Sequence, residues 1–233
     1  MNLLNISFEN LNNLNNLKEL VFNNCEEMSD VQRNILTKAP YNLKTLGLGE
    51  WSAETTELLI KTFGRSLKKL LIGTITTEII NFVSLYCSEL VTFKILGNIT
   101  FTHFPSFPLL KKMKIKKFTF LYCDSSLIEP TVFLKNFANH FPESLSKLGL
   151  FYDDILSADI LETILYNTKT SLTSLKINCG IGKHCLQVIL DYVKIRKSLK
   201  IFKLNMQVNI ISLLDRNVMK NLREQGVDVQ LLA

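Results

Sequence analysis

A hexamer with apolar residues at its first, fourth and sixth places recurs along this chain, and that recurrence constrains the fold more than any single stretch does. It reads LKELVF from residue 17, LKTLGL from 43, LKKLLI from 67 and LVTFKI from 90. It continues as LKKMKI from 110, LSKLGL from 145, LTSLKI from 172 and LKIFKL from 199. Successive starts are 26, 24, 23, 20, 35, 27 and 27 residues apart, and a weaker ninth copy, VDVQLL, begins 28 residues after the eighth. The fourth and sixth places are two residues apart, so they share one face of a short strand. A strand that short cannot bury its face alone. Stacked beside the next copy it makes a parallel sheet, and parallel neighbours need a crossover of about a dozen residues or more. Self-similarity at this period therefore predicts one array of stacked units spanning residues 1–233.

The segments between the hexamers supply the crossovers. Residues 53–63, 76–86, 131–140, 156–166, 185–195 and 212–224 carry apolar side chains at helical spacing. Pro130 stands where a first helical turn tolerates proline, and Gly64 and Gly226 follow helical stretches as C-terminal caps do. The linker FTHFPSFP at 101–108 has two prolines and no helical period, so no helix is expected there. The 35-residue spacing is expected to hold an extra loop at 118–129. The fourth- and sixth-place residues form the expected core, among them Leu20, Phe22, Met113, Ile115, Leu148, Leu150, Phe202 and Leu204.

Composition agrees with a real core: of 233 residues, 47% are hydrophobic and 21% charged, and the length suffices for one large domain or two small ones. No apolar run reaches the ~20 residues a membrane helix needs. The N-terminus has no basic residue before Lys18 and no clean apolar block, so it does not read as a secretory signal. The five cysteines, Cys25, Cys87, Cys123, Cys179 and Cys185, are odd in number and form no CxxC pair. Reduced, mostly buried thiols and an intracellular location, cytoplasm or nucleus, are the expectation.

The stretch LKELVFNNCEEMSD at 17–30 carries a resemblance. It resembles the cysteine-containing leucine-rich repeat of F-box proteins, roughly L-x-x-L-x-L-x-x-C-x-x-I-[ST]-D followed by a helix. Leu17, Leu20, Phe22, Cys25, Met28, Ser29 and Asp30 fill that pattern, and Cys87 and Pro40 each lie three residues before the next unit's leucine. The resemblance covers nearly the whole chain and implies an α/β solenoid: a curved horseshoe with a parallel sheet lining the concave side and mostly helices outside. It also implies non-catalytic protein recognition, as in the substrate-binding region of an SCF-type ubiquitin-ligase receptor. The alternative is a standalone repeat scaffold or regulatory module unrelated to ubiquitin. An F-box itself finds no room before Leu17, and Met1, Leu4 and Ile6 already fit the strand pattern. A fragment or a shortened gene product is therefore expected, with an SCF adaptor as partner only if an F-box precedes this chain.

Catalytic signatures are absent from the sequence: no GxSxG, P-loop, GxGxxG or HExxH occurs. No enzyme activity, cofactor or metal is expected. His103, His140 and His184 are dispersed. His184 and Cys185 are adjacent, and neighbours on a helix point about 100° apart, so they read as a helix start and a packed thiol. Asp153 and Asp154 read as helix-capping acids.

The lysines are more telling. Places 3, 5, 7 and 8, counted from each first leucine, are expected to face the concave side. They hold Lys69, Lys94, Lys112, Lys114, Lys116, Lys117, Lys147, Lys176 and Lys203, against the acids Glu19 and Glu50. Place 2 adds Lys18, Lys44, Lys68, Lys111 and Lys200, while the remaining 13 bases and 19 acids leave the rest of the chain acidic. One reading is solubility and protection of exposed strands. The sharper one is a basic strip for a protein partner with an acidic or phosphorylated segment, with Phe151, Tyr152 and Leu96 as apolar anchors. Nucleic acid fits poorly, because arginines and interleaved aromatics are scarce and the net charge is only +6.

Overall fold

A computed structural model of the chain describes residues 16–22, 28–38, 42–97, 106–122, 130–152, 155–182, 184–205 and 213–232. Strand and helix alternate throughout: β1 (Glu19–Val21), α1 (Asp30–Lys38), β2 (Thr45–Leu48), α2 (Ala53–Phe63), β3 (Lys69–Ile72) and α3 (Thr77–Tyr86). The chain continues as β4 (Thr92–Ile95), α4 (Phe107–Lys112), β5 (Lys117–Tyr122), α5 (Pro130–Asn139), β6 (Lys147–Tyr152) and α6 (Ala158–Asn167). It closes with β7 (Ser174–Asn178), α7 (Cys185–Arg196), β8 (Ile201–Asn205), α8 (Leu213–Glu224) and β9 (Asp228–Leu232). The nine described strands form one parallel sheet in sequence order. The fold is thus α/β, in an arrangement compatible with a solenoid, and its principal contacts run between neighbouring units.

The period-2 pattern decides which face is covered. Leu46, Leu48, Leu70, Ile72, Phe93, Ile95, Leu148, Leu150, Leu175 and Ile177 point to one side. They share a continuous buried cluster with helix residues such as Leu59, Ile80, Leu134, Leu161 and Leu190. The helices therefore lie against the fourth- and sixth-place face, the first-place leucines after Leu17 are buried as well, and the third, fifth and seventh places are left on the other, open face. Several helices begin at a hydroxyl residue whose side chain satisfies an orphan backbone donor. Ser52 Oγ accepts from the Thr55 amide at 3.2 Å, Thr76 from Ile79 at 3.2 Å and Ser157 from Ile160 at 3.3 Å. At α1 the Ser29 and Gln32 side chains each accept from the other's backbone N–H, a capping box.

The fifth unit departs from the sequence expectation. LKKMKI is not a strand: Leu110, Lys111 and Lys112 end α4, and β5 begins at Lys117. Cross-strand register pairs Phe93 with Phe118 and Ile95 with Phe120, so the true copy is IKKFTF from 115. The intervals of 20 and 35 become 25 and 30, and residues 118–122 are strand rather than extra loop. Aromatic packing explains the choice of frame. Phe118 and Phe120 are buried against Phe137 and Phe141, with ring centroids 5.0 to 5.9 Å apart, whereas Met113 is only partly buried. Helix α4 carries Pro108 in its first turn, where proline costs no hydrogen bond, so the second proline of that linker starts a helix instead of preventing one. In the ninth unit Val229, not Gln230, takes the fourth place opposite Phe202, so that copy begins at Gly226 rather than Val227.

The two expected glycine caps differ in geometry. Gly226 adopts φ +80° after α8, as a C-terminal cap does. Gly64 also stands at the C-cap of its helix, α2, but in right-handed helical geometry, where a Cβ would lie 3.0 Å from the Tyr86 side chain and carbonyl. A further glycine series, Gly49, Gly73 and Gly97, recurs at 24-residue intervals just after β2, β3 and β4. A Cβ on Gly73 would fall 2.6 Å from the Gly49 carbonyl, and one on Gly97 would strike the Gly73 oxygen. These turns stack backbone on backbone. Cys87, Cys179 and Cys185 are buried thiols, and Cys25 and Cys123 lie outside the described residues.

Candidate partner-binding face

The register sorts the open face into rows. In the third-place row Thr45, Lys69, Thr92, Lys117, Lys147, Ser174, Ile201 and Asp228 stand in order across β2 to β9. The fifth-place row runs Gly47, Leu71, Lys94, Thr119, Gly149, Lys176, Lys203 and Gln230 over the same strands. Six lysines therefore share this face, all on β3 to β8. Acids appear in these rows only on the end strands, as Glu19 of β1 and Asp228 of β9. At about 4.8 Å per strand the basic block is roughly 24 Å wide. Lysines that guard a sheet belong on its edges. These occupy the middle.

Of the sequence-expected residues, Lys69, Lys94, Lys147, Lys176, Lys203 and Phe151 lie on the open face. Lys112, Lys114 and Lys116 do not, because the fifth unit was framed five residues too early. Lys112 ends α4, Lys114 lies in the turn that follows, and Lys116 precedes β5 as Lys44 and Lys68 precede their strands. Lys117 takes the third place instead of the eighth. Tyr152 is also off this face: the eighth place has the parity of Leu148 and Leu150, and the ring is buried with them in the core. Thr119, buried on the floor of the face, carried no recognisable signal until IKKFTF is read as the fifth copy.

The charges on this face are held apart from acids. Ion pairs among the described residues include Arg33–Asp30, Lys61–Glu57, Lys111–Glu143, Lys194–Asp191 and Lys220–Glu224, and none involves these six lysines. Partial burial, with repulsion from Lys176, Lys117 and Lys69, pushes the Lys94 ammonium below its ordinary pKa. Lys117 is lowered in the same way, by burial first and then by Lys147, Lys69, Lys176 and Lys203. The six therefore act on one another as a single field. Beside the rows runs an apolar margin, with Leu121 paired to Phe151 across β5 and β6 and Leu96 just beyond β4.

His184 is exposed at the start of α7, while Cys185 is fully buried and its thiol donates to the Leu156 carbonyl at 3.1 Å. The side chains are not brought together. Asp153, Asp154 and His103 lie outside the described residues. Among the described residues no group of three His, Cys, Asp or Glu side chains is placed to hold a metal, and no helix is long and apolar enough to cross a membrane. No protein-family model matches the chain, and no curated protein matches it.

Proposed function

We propose that this chain is a leucine-rich-repeat module that recognises a protein partner through the open face of its sheet. The observation that carries the reading is the placement of Lys69, Lys94, Lys117, Lys147, Lys176 and Lys203 on central strands, free of acidic partners among the described residues. A face so charged attracts an acidic segment at long range, and Leu96, Leu121 and Phe151 offer it apolar anchorage. The resemblance of the first unit to F-box repeats adds that the partner is a ubiquitin-ligase substrate. The charged rows support recognition alone and are equally at home in a standalone scaffold.

The test is affinity purification of the endogenous protein, with mass spectrometry of its companions and its intact mass. It is run beside a variant carrying Lys117→Glu, Lys147→Glu and Lys176→Glu. A partner lost from the variant and at high salt supports the basic face. An adaptor and cullin among the companions support the ubiquitin reading. Partners indifferent to both changes sink the proposal.

A further inference from the structure

Lys94 and Lys176 begin three strands apart, on β4 and β7, with Thr119 and Gly149 between them in one row. Their backbones are roughly 14 Å apart at this strand spacing. Their ammonium groups nonetheless converge on one ring. Nζ of Lys94 lies 4.9 Å from the Phe151 centroid, and Nζ of Lys176 lies 5.8 Å from it.

The two residues between them keep the floor low. Gly149 has no side chain, and the Thr119 side chain occupies the space a Cβ there would need, with Oγ1 2.6 Å from that point. Lys117 and Lys147 stand paired in the adjoining row. The result is a shallow depression bordered by two cations and an aromatic wall. Two like charges drawn to one ring repel each other, and the ring's attraction is only about 0.5–1 kcal/mol each at exposed sites. A multivalent anion seated between them relieves that repulsion.

We propose that this depression seats the phosphate of a phosphorylated side chain on the partner protein, with Lys94 and Lys176 both donating to its oxygens. The inference rests on the recognition reading above and names its ligand chemistry. A phosphorylated hydroxyl carries about −1.5 to −2 charge and three strong acceptor oxygens arranged tetrahedrally. Two lysine ammoniums, each a point charge with three donors, suit that geometry from two directions. A carboxylate offers one charge and a planar edge, which the fork of an arginine matches best. The rows of this face contain no arginine among the described residues.

The test immobilises the whole chain and passes over it degenerate peptide libraries built around a fixed phosphoserine, serine or glutamate. Retention of the phosphoserine library at least tenfold above the glutamate library is expected. Lys94→Gln and Lys176→Gln should each lower it about tenfold, while Lys112→Gln and Lys114→Gln, off the face, leave it unchanged. Thermal melts check that each variant is folded, and Phe151→Leu supplies an uncharged change at the same seat, expected to weaken retention without altering charge. Equal retention of phosphoserine and glutamate libraries overturns the phosphate seat but leaves acidic-segment recognition standing. Unchanged retention in both lysine variants overturns its location. Retention of phosphoinositide vesicles with no retention of any peptide overturns both readings.

Discussion

Lys117 stands directly across from Lys147 on β5 and β6, two positive side chains in one cross-strand pair at the centre of the sheet. Like charges placed so are destabilising. Stability alone does not account for the arrangement. Lys117→Gln is accordingly expected to raise the melting temperature slightly in dilute buffer. The gain should shrink in 1 M salt, where charges are screened beyond about 3 Å. The same variant should weaken partner binding. A variant less stable than the parent at every salt concentration would mean that the pair does not repel in the folded protein.

The frame of the fifth unit has its own test. Phe118 is fully buried among other rings, and Met113 is only partly covered. Phe118→Ala should cost about 3–5 kcal/mol, as truncation of a buried phenylalanine does. Met113→Ala should cost about 1 kcal/mol, near the ordinary value for a point change. Denaturant titration of both variants separates the frames, and the reverse order would restore LKKMKI as the strand.

That unit also shows what the sequence could and could not tell. Seven of the eight hexamers are strands in the expected frame, because a leucine at the first place and a period of two leave little freedom. LKKMKI and IKKFTF both satisfy the pattern, five residues apart, and only volume and ring packing choose between them. The error carried into the site: it placed Lys112, Lys114 and Lys116 on a face they do not share, and it gave Lys117 the wrong place. Tyr152 was misplaced for a simpler reason, since parity alone puts an eighth-place residue inside. What no hexamer shows is that Lys94 reaches across β5 to Phe151, a relation fixed by three strands in register.

Gly73 marks the stacked turns that hold consecutive units at their spacing. A methyl group there meets Gly49 backbone atoms at 2.6 Å and the Glu50 nitrogen at 2.9 Å, none of which is the mobile end of a side chain. Gly73→Ala should therefore destabilise by about 1–3 kcal/mol, as overpacking does. Gly226→Ala provides the contrast, because it meets nothing within 4 Å and suffers only from its positive φ. Equilibrium unfolding of the two variants should show both losses, the Gly73 loss being the larger. A neutral Gly73→Ala would mean that the turns are free to part.

The buried thiols give the fold an alkaline limit. Burial pushes Cys87 from 9.0 up to about 12, and burial with the neighbouring Cys185 thiol does the same to Cys179. Above pH 9 the unfolded chain ionises these thiols and the folded one does not. Their contribution is thus complete below pH 9 and is lost as pH rises towards 12. Lys94 and Lys117 act in the opposite sense: with pKa values lowered by folding, they shed protons first in the folded state and so regain stability over the upper range. Comparing the parent with Cys87→Ala cancels the lysines. The variant should start less stable at pH 8 and lose less between pH 9 and 12. Alkylation at pH 8.5, read peptide by peptide, should label Cys87 and Cys179 no faster than the protein unfolds. Rapid labelling of either in the native protein would place that thiol at the surface and remove it from the core.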